Sequence, residues 1–239
     1  MRITEKLHRK ACDNAESAVT IAYIGDSVTQ GCFELHPRTD TGFTTVHDRE
    51  HTYSAYVARI LGVLYPTVPV NTVNAGVAGQ SAEEALSRLT RDVLAHKPDL
   101  TVVCFGLNDC GRGEAELERF LTPLREIFSR LAEAGSEIIF LTPNRMADGV
   151  SPNLHGEMLR EIAQGVAAVQ NAGVLTRYVE AAKELCRACG VPVCDCYAKW
   201  ETLAKNGVNT TELLANSFNH PAREMHWLFA ASLVETMMG

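Results

Sequence analysis

No apolar run in this 239-residue sequence approaches the ~20 residues that a membrane-spanning helix requires. The first ten residues are charged and carry no hydrophobic stretch of the leader type. The expectation is therefore a protein without a secretory signal, working in the cytoplasm and not in a membrane. Basic character is scarce as well, with 22 Lys and Arg against 29 Asp and Glu, a net charge of −7 and no basic tract. A chain that follows a phosphate backbone needs a cationic face, so nucleic acid is not an expected partner. Internal repeats, low-complexity tracts and linker-like stretches are missing, which makes one domain over 1–239 the economical division. Eight cysteines are present, but several lie too close together for a disulfide framework, and reduced thiols are expected.

What is present is ordinary globular material, 46% hydrophobic and 21% charged. Area scaling leaves roughly 10,500 Å² accessible after folding and buries about 70% of the unfolded surface, enough for a full core. Short β-branched runs alternate with longer amphipathic ones. Strands are predicted at 19–24, 70–73, 100–105, 137–141 and 191–194. Helices are predicted at 53–64, 81–96, 117–134, 159–169, 176–189 and 223–238. The second of these opens on Ser81 with Glu83 and Glu84 in its first turn, and the third closes on Gly135. Strand and helix periods in this order predict an α/β protein whose parallel five-stranded sheet is covered by helices on both faces. Two stretches, 31–52 and 143–156, read as long irregular loops. Both follow strand C-termini, the edge at which open α/β sheets bind ligands.

Polar, glycine-containing clusters stop three of the predicted strands: Gly25-Asp26-Ser27, Asn74-Ala75-Gly76-Val77-Ala78-Gly79, and Gly106-Leu107-Asn108-Asp109. In a parallel sheet those ends share one edge. A fourth cluster, Asn219-His220-Pro221, precedes the last helix. Together they could supply a hydroxyl, backbone N–H donors, a carboxamide and an imidazole, the set that acyl transfer needs. A serine hydroxyl requires an adjacent base, and histidine can take its proton and return it to a leaving group. The oxyanion of a tetrahedral intermediate needs preorganised donors.

These four clusters, in this order, resemble the SGNH superfamily, the GDSL-type esterases and lipases. The resemblance spans positions 25 to 221. It implies a flavodoxin-like three-layer α/β/α fold and hydrolysis of a carboxylic ester through an acyl-enzyme, without metal or cofactor. It implies Ser27 as nucleophile, His220 as general base, and an oxyanion hole from the N–H groups of Ser27 and Gly79 and the Asn108 side chain. The substrate it implies is a small-molecule, lipid or carbohydrate ester with a small acyl group, acetyl first; it says nothing about oligomeric state. One position departs from the pattern. The family carries an Asp three residues before its His, and here that position is Ser217, with Glu212 the nearest carboxylate on that side. A backbone carbonyl, Ser217 itself, or a distant carboxylate such as Asp195 could take its place. The leading expectation is a Ser-His dyad supported by a carbonyl. If the site merely lacks its acid, Ser217→Asp should raise turnover.

Other residues have plainer readings. Ser27 could cap the following helix, Asp26 could hold its turn, Gly76 and Gly79 could relieve crowding, and Asn108 could be a turn residue. His226 lies six residues past His220, about 600° around a helix, and reads as a packing histidine. His36, His47 and His51 default to surface positions. Cys186, Cys189, Cys194 and Cys196 do not have the two separated knuckles of a zinc site, and Cys110 reads as inert. Phe33, Phe43, Tyr53, Arg145 and Met146 are candidates for shaping a pocket. A second function is a weakened relative that binds an acylated or glycan ligand without efficient turnover, supported by the missing acid. A nucleotide-binding reading fails, since neither G-x-x-x-x-G-K-[ST] nor G-x-G-x-x-G is present, and G-x-S-x-G fails because position 29 is Thr.

Overall fold

The computed structural model describes residues 2–38 and 42–239. In chain order the elements are α1 (Arg2–Cys12), β1 (Val19–Gly25), α2 (Ser27–Gln30), β2 (Cys32–Pro37), β3 (Phe43–His47), α3 (Tyr53–Leu64), β4 (Val70–Gly76) and α4 (Ala82–Asp92). They continue with β5 (Leu100–Cys104), α5 (Leu117–Glu133), β6 (Glu137–Leu141), α6 (Glu157–Asn171), α7 (Val174–Cys189), β7 (Val193–Cys194), α8 (Cys196–Lys205) and α9 (His226–Met238). The main sheet is parallel, in the order β4-β1-β5-β6-β7. Counted within that sheet, this is the flavodoxin-like order, whose strand direction of travel reverses between β1 and β5. The expected three-layer α/β/α fold is therefore the one observed. The accessible surface, 10748 Å², also falls close to the value that chain length predicts.

β1 lies inside the sheet between β4 and β5 and is covered on both faces, so Ile21, Tyr23 and Ile24 are all buried and the run is apolar without alternation. α1 and α3 both pack against α9, and α4, α5, α7 and α6 form the other helix group. Ser81 opens α4 with a capping box, its N–H donating to Glu84 Oε2 at 2.8 Å. The helix predicted over 81–96 breaks at Val93, whose φ of −126° lies outside the helical region, and resumes as a 3-10 turn at Leu94–His96. Gly135 closes α5 in the left-handed region, at φ +81°.

Three features lay outside the sequence expectation. α1 buries only Ile3 and Leu7, and its polar surroundings hide that short stripe. α8 follows directly on β7, with Asp195 as its N-cap accepting from the Ala198 N–H at 3.1 Å. The stretch 31–52, read as an irregular loop, contains the antiparallel hairpin β2–β3. β3 is largely solvent-facing, so it lacks the buried alternation that marks a strand in sequence. Residues 39–41 of that stretch lie outside the described residues. The second stretch, 143–156, holds neither helix nor strand.

Candidate active site

β1 and β4 end side by side, Gly25 opposite Gly76, and the first turn of α2 crosses directly over them. A Cβ on Gly76 would lie 2.2 Å from the Gln30 amide nitrogen, and one on Gly25 would lie 2.0 Å from Thr29 Oγ1. Gly76 requires glycine because backbone passes over backbone there, and Gly25 because the Thr29 side chain and the Cys104 carbonyl fill the space. Asp26 caps α2, Oδ1 accepting from the Val28 N–H at 2.9 Å. Ser27 is thus the first helical residue and not the cap, and its N–H is one that the helix leaves without an internal acceptor. Burial pushes the Asp26 carboxyl up to about 7, against the pull of the Val28 N–H. Its place beneath the turn is a supporting one.

The segment after β4 is tied from both sides. Gln30 Oε1 accepts from the Ala78 N–H at 2.7 Å, and Asn74 Oδ1 accepts from the Gly76 N–H at 3.0 Å. Gly79 turns the chain at φ +77°, and a Cβ there would meet nothing within 4 Å, so its glycine answers to backbone conformation while Gly76 answers to crowding. After β5, Asn108 Nδ2 donates to the Gln80 carbonyl at 2.9 Å, which engages one amide hydrogen and leaves the other. Asp109 joins the two segments, its carboxylate accepting from the N–H groups of Ala82 at 3.0 Å and Gly106 at 3.1 Å. Burial raises that carboxyl to about 6 despite both bonds. Arg88, buried on α4, donates to the carbonyls of Ala75 and Gly25 at the ends of β4 and β1. Neither role was read from sequence. A carboxylate three residues after the glycine that follows a strand was the available signal for Asp109, while Arg88 offered none.

The histidine loop is built by Asn216. Its Oδ1 accepts from the N–H groups of Phe218, Asn219 and His220 at 3.0, 3.0 and 2.9 Å. Ser217 takes a left-handed φ of +59° within this turn. The irregular stretch after β6 backs it, Ala147 N–H donating to the Phe218 carbonyl and Asn144 Nδ2 to the Asn219 carbonyl. The turn delivers His220 Nε2 to 2.9 Å from Ser27 Oγ, while Nδ1 lies 3.0 Å from the Phe33 carbonyl oxygen. A carbonyl only accepts, so Nδ1 carries the proton and the Nε2 lone pair faces the serine hydroxyl. Burial lowers the His220 pKa below the ordinary histidine value, partly offset by the Phe33 carbonyl.

Ser27, Gly79, Asn108 and His220 therefore border one cavity, of about 360 Å³. Its walls away from these groups are largely apolar, with Leu35, Phe43, Ile162, Val166 and Phe218 among them. Of the five residues expected to shape a pocket, only Phe43 lines this one. Phe33, Tyr53 and Met146 are buried without lining it, and Arg145 is held by Asp148 and Glu201. Asp195 does not serve His220. It caps α8, accepts from Thr142 Oγ1 at 3.1 Å and pairs with Lys183 at 2.7 Å. His226 is a packing residue, fully buried and stacked on Tyr53, its Nδ1 accepting from the Tyr53 N–H at 3.0 Å. Cys110 is buried with its thiol pushed up to about 12, chiefly by burial. His51 pairs with Asp48, and His47 Nδ1 lies 3.5 Å from Cys32 Sγ.

The sequence pattern of the GDSL-like lipase/acylhydrolase family matches residues 23–228. An acetylxylan esterase from Geobacillus stearothermophilus is 28% identical over 136 residues, which cover 53% of this chain and 60% of that relative. The match thus spans less than two thirds of the curated relative's length. The crystal structure of an acetylxylan esterase from the same organism superposes with a TM-score of 0.67 at 22% identity, covering 92% of this chain and 94% of that one. A GDSL-like lipase structure from Parabacteroides merdae superposes at 0.71 with 17% identity, covering 93% and 96%. At these identities the superpositions speak for the fold. Variants of the Geobacillus enzyme altered at a serine, an aspartate and a histidine are described as catalytic mutants, and that aspartate stands three positions before the histidine.

Proposed function

This chain belongs to the GDSL-like lipase/acylhydrolase family, and on that premise we propose that it is a serine esterase acting on a small acyl ester, acetyl first. The observation that carries the reading is the contact of His220 Nε2 with Ser27 Oγ at 2.9 Å. Ser27 Oγ attacks the ester carbonyl carbon as its proton passes to Nε2. The resulting oxyanion accepts from the Ser27 and Gly79 N–H groups and from the free amide hydrogen of Asn108. His220 then gives the Nε2 proton to the departing alkoxide, leaving an acyl-serine. A water deprotonated by His220 attacks that acyl group, and collapse of the second intermediate releases the acid and restores the hydroxyl.

The alcohol portion of the substrate is proposed to be a carbohydrate or other small molecule, by analogy with the acetylxylan esterase relative. The competing reading is a binding protein with little turnover, which the absence of a carboxylate at Ser217 favours. The test is hydrolysis of p-nitrophenyl acetate by the wild type, Ser27→Ala and His220→Ala, with fluorophosphonate labelling followed by mass. Turnover and a label on Ser27, both lost in Ser27→Ala, are expected. Background turnover in all three proteins with Ser27 unlabelled would favour the binding protein.

A further inference from the structure

His220 and Arg223 stand three residues apart on one short segment, and both reach Phe33 of β2, Arg223 reaching its neighbour Glu34 as well. His220 Nδ1 meets the Phe33 carbonyl, while the Arg223 guanidinium lies 4.3 Å over the Phe33 ring. Arg223 also grips the Glu34 carboxylate with both terminal nitrogens, Nη2 to Oε2 at 3.1 Å, and its Nε donates to Asp48 at 2.8 Å. Phe33 and Glu34 fall where the hairpin register slips by one residue. Cys32 faces His47 but Leu35 faces Thr45, and neither residue between them has a cross-strand partner. Such bulges bend a strand and re-aim its groups, often beside a reactive centre. The slip frees the Phe33 carbonyl for His220 and also removes the ladder that would have held it. What remains to hold it is the ring, lying against the Arg223 guanidinium and against His226 at 5.1 Å, together with the neighbouring Glu34 fork.

We propose that Arg223 is a positioning residue for the esterase reaction, holding through Phe33 and Glu34 the carbonyl that orients His220. This rests on the esterase reading above. A neutral carbonyl binds Nδ1–H less strongly than a carboxylate does, so its placement must be secured by other contacts. Arginine suits the task because a planar guanidinium can lie flat on a ring and fork a carboxylate at once, which a lysine ammonium cannot. Glu34, Asp48 and Arg223 keep between about a fifth and a third of their side-chain surface exposed, and ion pairs so exposed contribute little to stability. Their loss should therefore show in the geometry of His220 before it shows in the fold.

The test compares Arg223→Met, which keeps the stem, Arg223→Lys, which keeps the charge, and Glu34→Gln. Each is assayed on p-nitrophenyl acetate with active sites titrated by fluorophosphonate, beside the proton resonance of His220 Nδ1–H. For Arg223→Met, kcat per titrated site is expected to fall about 10- to 100-fold, the scale at which a misplacement near 1 Å acts. KM should stay within about twofold, Arg223→Lys should recover only part of the loss, and the Nδ1–H resonance should shift or broaden. Wild-type kcat per titrated site in the folded variants, or an unmoved resonance, overturns the proposal. Should Arg223→Met fail to fold, Glu34→Gln carries the same readings. If the wild type hydrolyses no ester, the esterase reading fails, and the resonance still decides whether Arg223 holds the carbonyl.

Discussion

Gly76 and Gln30 are so close that no side chain fits between them: a Cβ on Gly76 would lie 2.2 Å from the Gln30 nitrogen, which is backbone and cannot swing aside. The end of β4 is thereby the bed on which the turn carrying Ser27 rests. Gly76→Ala is expected to lift α2, lower stability by about 1–3 kcal/mol and reduce kcat. Gly79→Ala meets open space and only the cost of its left-handed φ, about 1–2 kcal/mol. Thermal denaturation and kcat of both variants check this. A Gly76→Ala protein with the melting temperature and turnover of the wild type would remove the bed from the account.

The pH dependence of kcat/KM follows from burial of His220. Nucleophilic attack needs the neutral imidazole, and burial holds its pKa below the ordinary value of about 6.5. The acid limb is therefore expected below that value, with a plateau through neutral pH, measured on an ester whose own hydrolysis is slow. The same shift bears on stability. A histidine with a depressed folded pKa contributes stability above its unfolded pKa and loses it as pH falls toward the folded one. His226, lowered to about 3 chiefly by burial, acts with the same sign. Asp26 and Asp109, raised to about 7 and about 6, act oppositely, stabilising at low pH and losing that contribution as pH rises through those values. Between pH ~4 and ~7 the two pairs should partly cancel and leave a shallow stability profile, to be checked by denaturant titration at several pH values. A steep acid-side fall would show that the histidines dominate.

Ser217→Asp should bring no large gain. Nδ1–H of His220 already has an acceptor in the Phe33 carbonyl, and the left-handed turn at Ser217 is one that aspartate tolerates. Turnover within about threefold of the wild type, less than 1 kcal/mol, is expected. A tenfold rise would mean that a carboxylate displaces the carbonyl and that the site had merely lacked its acid.

Asp109→Asn keeps size and removes one acceptor. The carboxylate serves the Ala82 and Gly106 N–H groups with separate oxygens, and a carboxamide must turn an NH₂ toward one of them. A loss of about 1–3 kcal/mol in stability is expected, with kcat falling as the Asn108 and Gly79 segments part. Wild-type stability and kcat would show that the two segments are held by other contacts.

The chain's own residues determined much of this protein locally. Repeating apolar stripes placed the helices, and β-branched runs placed the central strands because both of their faces are covered. Gly25, Gly76 and Asn108 marked where those strands stop, since a turn needs small or self-bonding residues at fixed offsets. With a parallel sheet following from alternation, the clusters of Ser27, Gly79 and Asn108 could be assigned to one edge from sequence, while His220 joined them only through the family resemblance. The hairpin β2–β3 escaped because an exposed strand leaves no alternation to read. The partner of His220 Nδ1 escaped for a deeper reason: it is a backbone carbonyl, a group every residue carries, lying 187 positions away. Which carbonyl is used depends on where the chain's bulge falls and on what Arg223 grips. Tertiary packing alone decides that, because burial demands that each polar group find some acceptor without prescribing which one.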